Sequence, residues 1–295
     1  MIRPLYNKIH HLAECPIWNA EDMALYWTDI LNGEIWRYDV QTGKTRLYWK
    51  GKMLVGGFAF TPEGDIILCS DKGIFRLSKS VKGQLAAKPE LLFNIPFDAG
   101  ERFNDITTDP SGRILAGTKR NDLKNGKLYM IERGKSPEII LKNIHISNGM
   151  TFSMDKKYFY HTDSRPCTIT RYRYDHGTGH ISSPEIFYQG NSSSGFPDGI
   201  TLDSMDCLWV AFWGASCVRR ISTDGKVMEE IMIPAIQPSS VMIGGENMKE
   251  LYITTACEGG TDISKGLDKK GNYLGGKVYQ TSIPVKGRLE WKALF

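Results

Sequence analysis

No Cys-x-x-Cys pair, no His-Glu-x-x-His run and no Gly-x-Ser-x-Gly elbow occurs in the 295 residues. Nothing therefore points to a zinc knuckle, a helix-borne zinc hydrolase or the serine nucleophile of an α/β-hydrolase. The histidines (His10, His11, His145, His161, His176, His180) form no His-x-His pair, and the cysteines (Cys15, Cys69, Cys167, Cys207, Cys217, Cys257) are scattered. At this length scattered cysteines read as reduced thiols, mostly in a core, and not as a disulfide framework. No stretch approaches the roughly 20 apolar residues of a membrane span. Met1-Ile2-Arg3-Pro4 leads into mixed polar residues without the apolar core of a secretory signal. A cytoplasmic protein is expected. The net charge is only +4 and its positive side chains are dispersed, so the basic stripe of a nucleic-acid surface is also lacking. Expected partners are a small molecule, with no nucleic acid and no membrane, and the protein is expected to be a monomer or weak homo-oligomer.

Helical periodicity is nearly absent as well. Short runs rich in Val, Ile, Tyr, Trp and Thr alternate with Gly, Pro, Asp and Asn clusters, which is the pattern of strands and turns. One unit recurs six times: an apolar strand, a polar turn, then a second strand. The turns are Asn19–Asp22, Thr61–Gly64, Asp109–Gly112, Ser153–Lys156, Asp203–Asp206 and Gly245–Met248. The second strands start near Leu25, Ile66, Ile114, Tyr158, Leu208 and Leu251, which lie 41 to 50 residues apart. Four strands in a repeat of about 40–50 residues is the propeller period. The expected fold is therefore all-β: a six-bladed β-propeller of four-stranded antiparallel blades, a single domain over residues 1–295. Either Ile2–Lys8 or Arg288–Leu294 could close the ring.

In such a ring the innermost strand of each blade lines a central channel, and the residue just before it sits at the channel mouth. Counting back ten or eleven residues from each second strand finds Glu14, Gly56, Asn104, Asn148, Asp198 and Ser240. Five of the six carry side-chain oxygen. Inward-facing Glu, Asn and Asp are costly in an apolar core but suit a hard cation such as Ca²⁺, Mg²⁺ or Mn²⁺. With one carboxylate pair, waters would complete the shell and leave a replaceable position. The competing reading is that Asn148-Gly149 and Asp198-Gly199 are ordinary turn dipeptides. Ser192-Ser193-Ser194-Gly195 reads as a surface loop. Trp18, Phe58, Phe196, Trp213 and Tyr273 could wall a pocket, though core packing suits most of them.

At these residues the chain resembles the regucalcin (senescence marker protein) / gluconolactonase / luciferin-regenerating enzyme family. The likeness runs in order through Leu12–Trp18 with Leu25–Ile30, then Arg102–Asp105, Ala116–Thr118, Ser147–Met150, Thr162–Ser164, and Pro197–Gly199 leading to Leu208–Val210. It implies a six-bladed propeller with one catalytic divalent metal ion, Ca²⁺ first and Mg²⁺, Mn²⁺, Zn²⁺ or Fe²⁺ as alternatives. By motif, Glu14, Asn148 and Asp198 match the family's metal ligands, and Arg102 and Asn104 match residues that hold substrate. Asp198 also matches the proposed general base. The implied activity is a metal-dependent lactonase that opens a sugar-derived lactone to its aldonic acid, the metal polarising the carbonyl. A phosphotriesterase would use the same residues. A non-catalytic binding propeller is the third reading, since Tyr26-Trp27-Thr28-Asp29 spells a receptor-propeller motif, echoed by His161-Thr162-Asp163.

Two departures from the family pattern bear on specificity. Cys15 stands where the family usually has Gly or Ser, and reads as a small buried filler, though a thiol there would suit a softer ion. Lys119-Arg120-Asn121-Asp122 replaces acidic residues found in animal regucalcins; Lys119 and Asp122 are expected to reach the substrate, with Lys119 favouring an acidic or strongly polar one.

Overall fold

The structure, a computed structural model, describes residues 1–79, 85, 88–257 and 274–295. Tyr273 lies outside these. Six 4-stranded antiparallel sheets form the blades of a propeller. Blade I consists of Ala13–Asn19, Ala24–Asp29, Glu34–Asp39 and Lys44–Lys50. The innermost strands of blades II to VI are Val55–Phe60, Glu101–Thr108, Ser147–Phe152, Phe196–Leu202 and Gln237–Gly244. Consecutive inner strands touch one another round the channel. All six turns read from the sequence join an inner strand to its neighbour.

Burial explains the composition of each layer. Second strands such as Ile66–Ser70 and Leu208–Trp213 are packed on both faces and are almost wholly apolar. Outer strands such as Val227–Met232 are largely exposed and carry Glu and Met in place of a continuous apolar run. The 6 cysteines are all free thiols, and every one but Cys257 is buried. Among the described residues no helix is long and apolar enough to cross a membrane.

Of the two candidates for ring closure, the amino-terminal one forms the strand. Arg3–Pro4 pairs with Tyr279–Ser282 as the outermost strand of blade VI. Pro4 is tolerated there because an edge strand leaves one row of donors unused. Residues 288–294 instead cross the end of the channel at which the inner strands finish. Ala293 N donates to Phe60 O at 2.8 Å and Leu294 N to Gly112 O at 2.9 Å, while Trp291 packs edge-on against Phe152.

At the opposite end, the mouth, the positions expected just before the inner strands lie inside them. The strands begin at Ala13, Val55, Glu101, Ser147, Phe196 and Gln237, and every inner strand slips register beside its second strand at the channel position. A β-bulge leaves the extra residue outside the ladder and re-aims its side chain. Here it leaves Asn148 and Asp198 outside the ladder, while Glu14, still paired with Thr28, is the last residue before the slip in its strand. Asn148-Gly149 and Asp198-Gly199 are thus bulges within strands and not turns. Gly149 is dictated by close approach: a Cβ there would lie 2.5 Å from both Asp198 O and Ile200 N of the next blade.

The receptor-like motif has a structural explanation. Asp29, at the end of Tyr26-Trp27-Thr28-Asp29, accepts the backbone N–H of His11 and Leu12. Asp163 does the same for His145 and Ile146, and Asp71 for Leu54. Each carboxylate satisfies donors that would otherwise be stranded on the segment entering an inner strand, and so fixes where the bulge begins.

Candidate metal and substrate site

A cavity of about 260 Å³ opens at the mouth of the channel. Glu14, Asn104, Asn148 and Asp198 contribute to its lining, all of them buried. Leu12, Leu123, Ile146, Phe196 and Trp213 are its apolar members, and Lys119 and Arg165 add positive charge. Four blades therefore deliver the polar side chains of one small volume.

Hydrogen bonds orient these groups. Asn104 Nδ2 donates to Asn148 Oδ1 at 2.8 Å and to Ser147 O at 3.0 Å. Asn148 Nδ2 donates to Ser164 Oγ at 2.7 Å, and Ser164 Oγ donates in turn to Pro197 O at 2.7 Å. The Asn148 amide is thereby held in one orientation, and Ser164 ties blade IV to the strand that carries Asp198. Ser164 had no role in the sequence reading, although Thr162-Asp163-Ser164 was part of the resemblance. Its signal was position alone, just past a second strand.

Electrostatics favour a cation among these oxygens. Burial, then the negative charges of Asp198 and Asp105, push the Glu14 carboxyl well above the ordinary glutamate range. The backbone N–H of Cys15 and the charge of Arg102 oppose this only in part. Two carboxylates and an amide oxygen, buried and mutually repelling, are the donor set of a hard divalent ion. The residues present fit such an ion.

Other expected members fall elsewhere. Arg102 is buried but not part of the lining, and its Nη1 donates to Phe103 O at 2.8 Å. Asp122 is at the surface in a salt bridge with Arg120. Phe196 and Trp213 wall this cavity, whereas Trp18 and Phe58 line a second one, of about 160 Å³, farther along the channel. Cys15 also lines the second cavity and donates its thiol to Phe58 O at 3.9 Å. It holds a left-handed backbone, φ 47°, a conformation that suits glycine best. Burial keeps its thiol protonated, unlike a thiolate ligand. Ser192–Ser194 forms a short exposed helical turn.

His10, Asp29 and Glu34 make a separate buried cluster. It is already satisfied: His10 bonds Asp29 and receives Trp27 Nε1, and Glu34 is bridged by Lys8 and Lys50. Two ammonium groups already neutralise Glu34.

Asp105, one residue beyond Asn104, lines the second cavity. Burial pushes its carboxyl up to about 7, the Ile106 N–H opposing. Because the folded-state value is raised, its contribution to stability is complete below the ordinary aspartate range, near pH 3.8, and is lost as pH rises through about 7. Asp105→Asn should therefore raise the melting temperature of the metal-free protein more at pH 8 than at pH 5, with only a mild effect on turnover. Equal gains at both pH values in a thermal-melt series would contradict this.

The sequence profile described as SMP-30/Gluconolactonase/LRE-like region matches residues 12–257. Pentonolactonase XacC of Haloferax volcanii is 30% identical over 282 residues, covering 96% of this chain and 94% of that one. A 6-deoxy-6-sulfogluconolactonase of Pseudomonas putida is 33% identical over 284 residues, with 95% and 94% coverage. Among solved structures, a calcium-binding protein, regucalcin, from Agrobacterium tumefaciens superposes with a TM-score of 0.90 at 25% identity, covering 100% of this chain and 98% of that one.

Proposed function

Because the chain belongs to the SMP-30/gluconolactonase/LRE-like family, we propose that it is a metal-dependent lactonase that opens a sugar-derived lactone to its aldonic acid. The observation that supports this reading is the cavity lining. Glu14, Asn148 and Asp198 come from three blades and, all buried, contribute to the lining of one small cavity. The names of the two lactonase relatives support a sugar lactone as substrate.

Glu14, Asn148 and Asp198 would hold the ion. A bound divalent cation would supply Lewis acidity at the lactone carbonyl oxygen. Asn104 steadies the Asn148 oxygen. Asp198 accepts a proton from the attacking water as the new C–O bond forms. The ring C–O bond then breaks, and the ring oxygen leaves as a hydroxyl group by taking up the proton that Asp198 accepted. Phe196 and Trp213 shield the reacting centre from bulk solvent. The acid product ionises, so a pH-stat reads the rate directly.

The test is a panel of aldonolactones given to chelator-treated protein, then resupplied with Ca²⁺, Mg²⁺, Mn²⁺, Zn²⁺ or anaerobic Fe²⁺. Chelation should reduce lactone opening to the spontaneous rate, and at least one divalent ion should restore it. Unchanged turnover in metal-free protein would sink the mechanism.

A further inference from the structure

We propose that Ser164 is a positioning residue of the metal site: its hydroxyl sets which end of the Asn148 amide reaches the ion. This rests on the metal site of the proposed lactonase and is independent of which lactone is opened.

An amide has a donor end and an acceptor end of nearly the same shape, so only its neighbours can choose between them. A hard cation takes the oxygen end. The choice here begins with a backbone carbonyl. Pro197 O can only accept, and Ser164 Oγ gives it its single hydrogen at 2.7 Å. The hydroxyl then has only lone pairs left, and it accepts from Asn148 Nδ2 at 2.7 Å. With Nδ2 fixed toward Ser164, Oδ1 lies on the other side of the amide, where it accepts from Asn104 Nδ2 at 2.8 Å. Asn104 Nδ2 gives its other hydrogen to Ser147 O at 3.0 Å. Turning the Asn148 amide over would set its oxygen against a hydroxyl with no hydrogen to spare. It would also set its NH2 against that of Asn104 and present N–H groups to the ion.

Ser164 is itself well anchored. It follows the strand Tyr158–Asp163, its N–H donates to Ile146 O at 3.2 Å, and its carbonyl accepts the N–H of Cys167 at 3.0 Å. Ser164, Asn148 and Asn104 are all buried, where a missing partner costs most. Groups that orient a metal ligand in this way are worth about 10- to 100-fold in metal affinity.

The experiment is calorimetric titration of metal-free protein with Ca²⁺, Mg²⁺, Mn²⁺ and Zn²⁺. It compares wild type, Ser164→Ala, Asn148→Asp and the double variant. Ser164→Ala should weaken the tightest-bound ion about tenfold. A carboxylate has two equivalent oxygens and no donor end, so in the Asn148→Asp background the same change should cause no comparable loss. A residue that merely supported the fold would cost the same in both backgrounds. Ser164→Cys keeps a side chain of similar shape whose thiol hydrogen-bonds only weakly, and it should lose affinity in the same background-dependent way even where alanine disturbs the packing. Melts of the metal-free proteins report the fold. Equal losses in the two backgrounds, an affinity untouched by either Ser164 variant, or a wild type that binds no divalent ion overturns the proposal. Turnover of no aldonolactone by the wild type, with the background-dependent loss of affinity intact, overturns the lactonase reading and leaves the role of Ser164 standing.

Discussion

Asp198→Asn is expected to lose at least about 10²-fold in lactone turnover at saturating metal, the usual range for removing a general base. Asparagine keeps the size and one oxygen, so the bulge, with Gly199 packed against Ser240, should survive. What disappears is the negative charge and the proton acceptor. Excess metal can offset the first but not the second, so kcat should stay low however much ion is supplied. The measurement is kcat against metal concentration, with circular dichroism and thermal melting to verify the fold. Near wild-type turnover with metal bound would mean that the base lies elsewhere.

Glu14→Gln should behave differently. The change removes one of two buried carboxylates but no proton acceptor for the water. Metal affinity should fall at least about tenfold, as expected when a charge-assisted contact becomes neutral, and excess metal should recover much of the turnover. The metal-free protein should gain stability. Burial and Asp198 hold the Glu14 carboxyl above its ordinary range, so its contribution is complete below that range and lost as pH rises. The gain in melting temperature should therefore be larger at pH 8 than at pH 5. Calorimetric titration with the activating ion and a pair of melts give both answers. A variant that binds metal as tightly as wild type would remove Glu14 from the ligand set.

The contrast between the two variants carries more weight than either loss alone. A purely structural role for both residues would make their defects alike and insensitive to metal. A ligand and a ligand that is also a base should separate, one rescued by mass action and the other not.

Much of this was legible in the chain. Six turns at a spacing of 41 to 50 residues dictate six repeated units, because no unit of that size can bury both its faces alone. Counting back from the second strands also reached Glu14, Asn104, Asn148 and Asp198, since the inner strand and turn have nearly constant length in every blade. Other features depended on contacts between segments far apart in sequence. Ile2–Lys8 and Arg288–Leu294 were equivalent as closing strands until one was found beside Tyr279–Ser282 and the other beneath Phe60 and Gly112. Arg102 and Asp122 belong to promising motifs, yet one is buried outside the lining and the other is spent on Arg120. Ser164 and Arg165 carry no local signal, because what distinguishes them is a neighbour on the next blade, Pro197 O for one and the Phe196 ring for the other. Periodicity along the chain determined the propeller and the level at which its polar ring would sit. Only packing between blades decided which way each bulged side chain points, because a bulge turns a residue by an amount set by its neighbours across the channel.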